Sequence, residues 1–322
     1  MPGKTRLLIP LGPVGLFDTP IGEIRTVPTC AKCVKLHFRL QVVDKIGIFK
    51  LSVTRRIPGT LFLRNLVERR SLLFQLVRRD FEQRYVGSAI GWIWGLIQPL
   101  VLLLSWTFVF QVCLNQKPPP GVRNYSLFLF AGMLPWMLFS ETLQRSASSL
   151  LEQANLITKT VFPAEIVPVS IFLSALVGHA LALLLLVVVA GVWQNQISAF
   201  LLLLPAYVFA IGLMAVGLGW IVASLHVFLR DTAQVLSVVL TFWFWVTPIF
   251  LTEDYYQKRA WTQYLLAANP MAYVVRGYRA MLIYSVAPRA GDLGIALVFG
   301  AVVFVAGGLF FRHMKSGFAD VL

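Results

Sequence analysis

The sequence predicts an all-α integral membrane protein with about six transmembrane helices, and its composition and its charge-free stretches are the observations behind this prediction. Of the 322 residues, 58% are apolar and only 13% are charged, whereas soluble domains contain about 25% charged residues. Several charge-free stretches exceed the ~20 residues that a helix needs to cross a bilayer. Because hydrocarbon offers the backbone no water to bond, such stretches form helices rather than open strands. The alternating strands of an outer-membrane barrel are absent from the sequence.

The spanning stretches contain few ionisable side chains. Glu141 lies in the second stretch, His179 in the third and His226 in the fourth. A proton-driven transporter is expected to contain more buried carboxylates, so the energy source is predicted to lie elsewhere. In chain order, the predicted spans are 89–114, 125–143, 166–193, 197–229, 232–252 and 293–311.

Two of these ionisable residues admit more than one interpretation. Glu141 and Arg145 are four positions apart, which is the spacing of a local ion pair on one helix. His179 lies near the middle of its predicted span. It is either a neutral histidine bonded to a neighbouring helix or a functional intramembrane group, and the bonded histidine is the favoured interpretation.

The charge distribution predicts a cytoplasmic N-terminus. The formal net charge is +14, and nucleic-acid binding is one interpretation of so basic a chain. Basic residues flank membrane helices on the cytoplasmic side, however, which explains the charge without a nucleic-acid partner. More than half of the 28 Lys and Arg residues precede position 89. An even number of spans also places the C-terminus, with Arg312 and Lys315, in the cytoplasm.

Residues 1–65 differ from the rest of the chain. They are basic, contain scattered Pro and Gly and lack sustained periodicity, so they are interpreted as a poorly ordered basic extension before a membrane domain at 66–322. Translation from a start upstream of the true one is the alternative. Cys30 and Cys33 form a CxxC pair there, but no second Cys pair or His pair accompanies it, and no metal site is predicted.

An amphipathic helix is predicted at 68–86, directly before the first span. Leu73, Val77, Phe81 and Tyr85 recur at every fourth position, which places them on one helical face, while basic residues take the other faces. Such a helix is expected to lie in the cytoplasmic membrane interface. It either anchors the chain in the membrane or offers a contact surface to a cytoplasmic partner.

The segment 253–292 is predicted to contain two short helices that form a re-entrant external hairpin before the last span. Asn269-Pro270 is a helix start, because Asn caps a helix and Pro fits its first turn. One apolar face is expected to follow from there: Met271, Val274, Val275, Tyr278, Met281 and Leu282.

The sequence lacks the motifs of the common catalytic and nucleotide-binding sites. GxxxxGK[ST], HExxH, GxSxG and clusters of Cys and His do not occur, so no catalytic residue, no metal and no cofactor bound by this chain is predicted. Aromatic residues are abundant, and most are expected in interfacial belts or in packing. Some are candidates for lining a substrate channel, because sugar rings stack on aromatic planes. These candidates are Trp92, Trp94, Trp136, Trp243, Trp245, Tyr255, Tyr256, Trp261, Tyr273 and Tyr278.

A series of short motifs begins at Arg84 and continues to Pro270. They are Arg84-Tyr85-x-Gly87-Ser88, Gln98-Pro99-Leu100, Gly132-Met133-Leu134-Pro135-Trp136, Asn155-Leu-Ile-x-Lys159, Phe162-Pro163-x-Glu165, Arg230-Asp231, Pro248-Ile249 and Asn269-Pro270. Each motif is short, whereas their joint order is specific. In this order the chain resembles the ABC type-2 permeases, in particular the exporter group for polysaccharide, O-antigen, capsule and teichoic acid.

The resemblance implies a homodimeric permease that works with two copies of a separate ABC ATPase subunit, which binds ATP and Mg²⁺. The loop between the second and third spans, here about 149–165, would be the coupling helix on that ATPase. The amphipathic helix would be a further interface, and the predicted hairpin would form external gate helices. Residues 1–65 are not part of the family pattern. The residues implied in ATPase coupling are Arg78, Arg79, Arg84, Tyr85, Asn155, Lys159, Phe162, Pro163, Glu165, Arg230 and Asp231.

The function implied by the resemblance is ATP-driven export of a polysaccharide, lipid-linked, across the bacterial inner membrane, without enzymatic activity in this chain. An exporter of a drug or small lipid from the same superfamily is one alternative. A membrane-embedded glycosyltransferase or acyltransferase is another, although such an enzyme is expected to show paired carboxylates or a His–Asp site. A structural membrane subunit is the third. The sequence does not identify the polymer.

Overall fold

A computed structural model describes residues 70–85, 88, 90–122, 124–159, 162–194, 198–250, 252–253, 256 and 258–321. All of them belong to one compact unit, Ile57–Leu322. Every regular element in this part of the chain is a helix, which confirms the predicted all-α membrane fold. The predicted extension at 1–65, with Cys30 and Cys33, lies outside the described residues.

The helices follow one another with short connections. α2 continues as a π-helical segment, Thr107–Cys113, and α6 is preceded by a 3₁₀ turn, Ala199–Leu203. In chain order the α-helices are α1 Arg70–Tyr85, α2 Trp94–Trp106, α3 Tyr125–Glu152, α4 Ala154–Lys159, α5 Ile166–Gln194, α6 Leu204–Phe228, α7 Thr232–Val246, α8 Ala260–Ala268, α9 Pro270–Leu282, α10 Ala290–Met314 and α11 Phe318–Val321.

Five of the six predicted spans form helical segments long and apolar enough to cross a bilayer, as judged over the described residues. These segments are Trp94–Cys113, Tyr125–Glu152, Ile166–Val192, Ala199–Phe228 and Ala290–Gly317.

The predicted span at 232–252 is shorter in the structure. α7 has 15 residues and is therefore about 22 Å long, against a hydrocarbon thickness of about 30 Å. Thr247 already has an extended conformation, with φ −82° and ψ 133°. The residue before a proline disfavours the helical conformation, so Pro248 explains why the helix ends here.

Helix α3 is the centre of the domain and packs against α5, α6, α7 and α9. α6 and α10 form another close pair because glycines lie at their crossing. A Cβ atom on Gly307 would lie 2.1 Å from the carbonyl oxygen of Gly217. Small residues at membrane helix crossings allow the two backbones to approach in this way.

Helices α2, α7 and α10 each keep an exposed apolar face. Leu104 on α2, Phe242 on α7 and Val302 on α10 are all more than half exposed. In water such surfaces would favour aggregation or association, whereas lipid tails solvate them. These helices therefore offer faces to lipid or to a second protein.

The chain direction alternates, so the helix ends collect at two places. We call one the α1 end, formed by α1 and the described residues of 141–166, 220–232 and 311–321. We call the other the α9 end, formed by the described residues of 114–128, 247–256 and 269–292. Bonds within each set define these groups, for example Lys315 to Glu165 at the first and Tyr125 to Phe250 at the second.

Candidate functional site

Four charged side chains join α1 to α3 at the α1 end, and we call them the ion network. Arg84 Nη1 lies 2.7 Å from Glu141 Oε1 and Arg84 Nε lies 3.7 Å from Asp80 Oδ2. Arg145 donates to Asp80 and lies 3.8 Å from Glu141. The expected Glu141–Arg145 pair is therefore present, but each residue has a nearer partner on α1. Sequence spacing along one helix cannot reveal a partner on another helix.

The ion network is incompletely satisfied by hydrogen bonds. Within the described part of the chain, Arg84 Nε and Nη2, Arg145 Nη1 and Asp80 Oδ2 are buried atoms without a hydrogen-bond partner. Its four side chains are between 20% and 39% exposed. Partly exposed ion pairs contribute little stability each, so the network is suited to hold α1 without fixing it permanently.

The remaining predicted coupling residues on α1 lie on its outer face. Arg78 and Arg79 are exposed, and Arg78 pairs with Glu82 at 2.7 Å. Leu76, by contrast, is buried, and Leu73, Val77 and Phe81 of the predicted apolar face are partly buried. The position of α1 relative to a membrane stays a prediction. The side chain of Tyr85 lies outside the described residues.

The segment between α3 and α5 combines exposed and anchored residues. Asn155 on α4 is exposed, whereas Phe162 packs partly buried against the core and Pro163 is buried. Glu165 is held twice: its carbonyl oxygen accepts a hydrogen bond from Trp220 Nε1 at 3.0 Å, and its carboxylate pairs with Lys315 Nζ at 2.6 Å. The side chain of Lys159, another predicted coupling residue, lies outside the described residues.

The turn between α6 and α7 lies beside the C-terminal segment that contains Lys315. Arg230 and Asp231 are exposed in this turn. Just before it, the ring of Phe228 lies 6.1 Å from that of Phe318, and Phe318 in turn contacts Phe311 at 5.4 Å. The described residues of the three predicted coupling regions, 68–86, 149–165 and 226–232, thus lie at one end of the domain.

At the α9 end, Asn269 starts α9 as predicted. Its Oδ1 accepts a hydrogen bond from the Met271 amide at 3.0 Å and one from Trp243 Nε1 at 2.9 Å. Its Nδ2 donates to the hydroxyl of Thr247 at 3.0 Å. Asn269 is therefore a cap and also the connection between α9 and the end of α7. The predicted apolar face of α9 is buried throughout.

The guanidinium of Arg279 donates to three backbone carbonyl oxygens: Phe128 at 3.3 Å, Pro248 at 2.6 Å and Ile249. Its central carbon lies 3.6 Å from the centre of the Phe128 ring, within the range of a cation–π interaction. A Cβ atom on Gly132 would lie 2.7 Å from Nη2, so glycine leaves the space that Arg279 requires. Burial lowers the pKa of Arg279 to about 9, and the side chain is still a cation at pH 7.

Sequence reasoning did not single out Arg279. Its position in the sequence indicates that it faces inward, because Val275, Tyr278, Arg279 and Leu282 have the spacing of one helical face. An arginine on an otherwise apolar face predicts a buried cation with internal partners.

Arg276, one turn earlier on α9, connects two other segments. Its Nε lies 2.8 Å from Glu253 Oε1 and its Nη1 lies 2.8 Å from Asp292 Oδ1 at the start of α10. Arg276 therefore ties α9 to the connection after α7 and to the last long helix.

His179 is bonded to a neighbouring helix, which confirms the favoured interpretation. Its Nε2 lies 3.1 Å from the hydroxyl of Tyr278 on α9. Tyr278 is fully buried, so this channel candidate packs between helices in the single chain.

The other aromatic channel candidates divide into two groups. Trp136 and Trp243 pack edge to face in the core, with ring centres 6.3 Å apart. The second group is partly or largely exposed: Trp94 on α2, Trp245 on α7, Tyr256, Trp261 on α8 and Tyr273 on α9. Tyr255 and the side chain of Trp92 lie outside the described residues. A role in lining a channel stays a prediction for all of them.

Groups of three or more His, Cys, Asp and Glu side chains that could hold a metal ion do not occur among the described residues.

The five long apolar helices indicate a multi-pass membrane protein. Residues 71–283 match the family model described as ABC-2 type transporter. The chain therefore belongs to the ABC-2 type transporter family, which confirms the family predicted from the motif order.

Named relatives match nearly over their whole length. The chain is 30% identical to the O-antigen export system permease protein RfbA of Myxococcus xanthus, over 80% of this chain and 98% of the relative. It is 26% identical to a protein of the same name in Klebsiella pneumoniae, over 78% and 95%. It is 23% identical to the polysialic acid transport protein KpsM of Escherichia coli, over 75% and 92%.

Proposed function

We propose that this chain is the permease subunit of an ATP-driven exporter that moves a lipid-linked polysaccharide across the inner membrane of a bacterium. Two copies of the chain form the passage, and two copies of a separate ATPase bind ATP and Mg²⁺. Both termini lie in the cytoplasm. Family membership alone identifies the chain as a multi-pass transport protein. The proposal adds the cargo, the partner and the orientation in the membrane.

The observation that carries the proposal is the nature of the relatives and the extent of the match. Proteins named for O-antigen export and for polysialic acid transport align over 98% and 92% of their own lengths. Both names refer to glycan polymers. A match of whole proteins supports a shared transport role better than a match of one segment would.

The α1 end supports contact with a cytoplasmic ATPase. It exposes Arg78, Arg79, Asn155, Arg230 and Asp231, and polar exposed groups are typical of the rim of a protein–protein interface. A partner can drive a conformational change only if it contacts the two states differently. In this proposal, the nucleotide state of the ATPase supplies that difference.

The exposed apolar faces of α2 and α7 support a second copy of the chain in the membrane. Val112 on the π-helical continuation of α2 and Phe242 on α7 are each more than 60% exposed. A polymer needs a wide passage, and the central helix α3 of one chain is largely buried among its neighbours. Two chains that separate along such faces would provide it.

The test of the cargo is deletion of the gene followed by analysis of two polysaccharide pools. We expect the surface polymer to be lost and lipid-linked polymer to accumulate in the cytoplasm. An unchanged surface polymer together with sensitivity to small toxic compounds would instead indicate the drug or small-lipid exporter.

The test of the ATPase contact uses two exposed arginines at opposite ends. We expect Arg230→Glu, at the α1 end, to reduce permease-dependent ATPase activity and export at normal protein level, because it reverses a charge in the proposed interface. Arg259→Glu, which reverses an exposed charge next to α8, is the control and is expected to retain both. Equal activity in the two variants would reject Arg230 as a contact.

A further inference from the structure

A cavity of about 560 Å³ lies at the α9 end, between the loop after α2, the start of α3, the connection after α7 and helix α9. Its volume is within the ~300–1,000 Å³ that is usual for small-molecule sites. Arg276 and Arg279 line it from α9, and Lys117 lines it from the loop after α2. None of the coupling or channel candidates that the structure describes belongs to this lining.

Aromatic side chains form part of the cavity wall: Tyr125, Phe128, Phe250 and Tyr284 all line it. The Arg279 guanidinium already covers one face of the Phe128 ring. Tyr125 is fixed by its hydroxyl, which donates to the carbonyl oxygen of Phe250 at 2.8 Å. Flat apolar rings beside polar groups suit a ligand that has both C–H faces and hydroxyl groups, which is the chemistry of a sugar ring.

Two charged lining residues have unused hydrogen-bond donors. One oxygen of the Glu253 carboxylate, Oε1, already accepts a bond from Arg276 Nε at 2.8 Å. Arg276 Nη2 makes no hydrogen bond to a described residue, and Lys117 is exposed and has no ion-pair partner among the described residues. Arginine and lysine groups are donors only. A ligand that bonds to these two groups must therefore bring acceptors, and a negative charge strengthens such bonds.

We infer that this cavity binds an acidic sugar unit, with its ring against the aromatic wall and its carboxylate toward Lys117 and Arg276. The inference rests on the proposed polysaccharide export for its biological meaning, since it specifies the polymer as one that contains acidic sugars. Binding itself is measured on the isolated protein, so it is tested separately from export.

The experiment uses the full chain in lipid nanodiscs and two matched probes, glucuronate and glucose, which differ in the carboxylate. We expect saturable glucuronate binding in a calorimetric or ligand-detected NMR titration, and at least tenfold weaker glucose binding, equivalent to about 1.4 kcal/mol. Lys117→Gln is expected to weaken glucuronate binding about tenfold and to leave glucose binding unchanged, because it removes one charge-assisted bond.

Two further variants complete the design. Tyr284→Leu is expected to weaken both sugars, because it removes a ring from the cavity wall. Arg259→Gln removes an exposed cation outside the cavity and is expected to bind both sugars as the unchanged chain does. A normal elution profile and unfolding temperature of Lys117→Gln, whose side chain is exposed, establish that its effect is local.

Several outcomes would overturn the inference. They are no saturable glucuronate binding, equal affinity for glucuronate and glucose, and equal glucuronate affinity in Lys117→Gln and Arg259→Gln. Inorganic phosphate that binds more tightly than glucuronate, and is insensitive to Tyr284→Leu, would indicate a simple anion site instead of a sugar site. Loss of export on gene deletion with no glucuronate binding would reject this inference and leave the proposed function intact.

Discussion

The two ends of the membrane domain hold their arginines in opposite ways. At the α1 end, Arg84 and Arg145 pair with carboxylates, and the side chains of the ion network are 20% to 39% exposed. At the α9 end, Arg279 is 5% exposed and donates to three backbone carbonyl oxygens under an aromatic ring. One arrangement links pairs of charged side chains, whereas the other links a side chain to the backbone itself.

This difference indicates which end of the molecule is able to move. Solvent weakens partly exposed ion pairs, so the ion pairs between α1 and α3 can break at low energetic cost, while the buried Leu76 still holds α1 to the domain. A buried cation without its partners is unfavourable, and so are the carbonyl groups that it would leave unpaired. We therefore expect α9 to move as one body with the first turn of α3 and the end of α7, while α1 adjusts to its surroundings.

The largest effect is expected from Arg279→Leu. It leaves three inward carbonyl oxygens without their donor, and removing one partner from a buried charged contact costs about 3–5 kcal/mol. We expect little folded protein, and a strongly reduced unfolding temperature in detergent for any that remains. Arg289→Leu, at an exposed position at the same end, is the control and should unfold like the unchanged chain.

Gly132→Ala also tests the contacts of Arg279 with the backbone carbonyl groups. The added Cβ atom would lie 2.7 Å from Arg279 Nη2, so the guanidinium must shift away from its carbonyl partners. We expect destabilisation of about 1–3 kcal/mol, which is usual for overpacking. Normal unfolding temperatures for both Gly132→Ala and Arg279→Leu would show that the α9 end is not the fixed one.

An intermediate effect is expected at Asn269, which holds α9 to the end of α7. Asn269→Ala removes a helix cap and two side-chain bonds, to Trp243 and Thr247. Losing a cap costs about 1 kcal/mol and each further bond about 1 kcal/mol. Asn269→Asp keeps the acceptor and loses only the donor to Thr247, so it should destabilise less. If thermal unfolding ranks the two variants in the reverse order, the cap is not the main role of Asn269.

The predictability of Asn269 and Arg279 differs for a physical reason. The Asn269-Pro270 start and the apolar face behind it are local patterns, and the structure contains both. The partners of Arg279 are carbonyl groups more than 30 positions away at Pro248 and farther at Phe128. Sequence spacing predicts that such a side chain needs partners, but only the folded chain determines which.

The same limit applies to the α1 end. The spacing of Glu141 and Arg145 predicts their mutual pair, yet the nearer partners, Arg84 and Asp80, come from another helix. The predicted end of α7 was also wrong, because the apolar run continues to 252 while Pro248 ends the helix at Val246. Composition identifies a spanning stretch, whereas backbone sterics decide where its helix stops.

A smaller effect is expected from the ion network, measured by a double-mutant cycle. The variants are Arg84→Gln, Glu141→Gln and the pair together. We expect a coupling free energy below about 1 kcal/mol, as for other partly exposed ion pairs, and a further decrease at high salt. Chemical unfolding in detergent at two salt concentrations measures it.

This double-mutant cycle tests whether the ion network at the α1 end is held less firmly than Arg279 at the α9 end. A coupling free energy above about 2 kcal/mol, unchanged by salt, would mean that the ion network is held as firmly as a buried pair. The inferred freedom of α1 would then be wrong.

The smallest effect is expected from Lys315→Gln at the C-terminal segment. This pair with Glu165 is 40% and 29% exposed at its two side chains, so its loss should cost less than about 1 kcal/mol. Phe318, in contrast, is 2% exposed against Phe228 and Phe311, and burial of such a ring contributes several times more. We therefore expect hydrogen exchange at 315–321 to rise only slightly in Lys315→Gln and strongly in Phe318→Ala. An equal rise in both variants would mean that the ion pair anchors the segment. Charged side chains would then fix the position of the α1 end, which contradicts the freedom inferred for it.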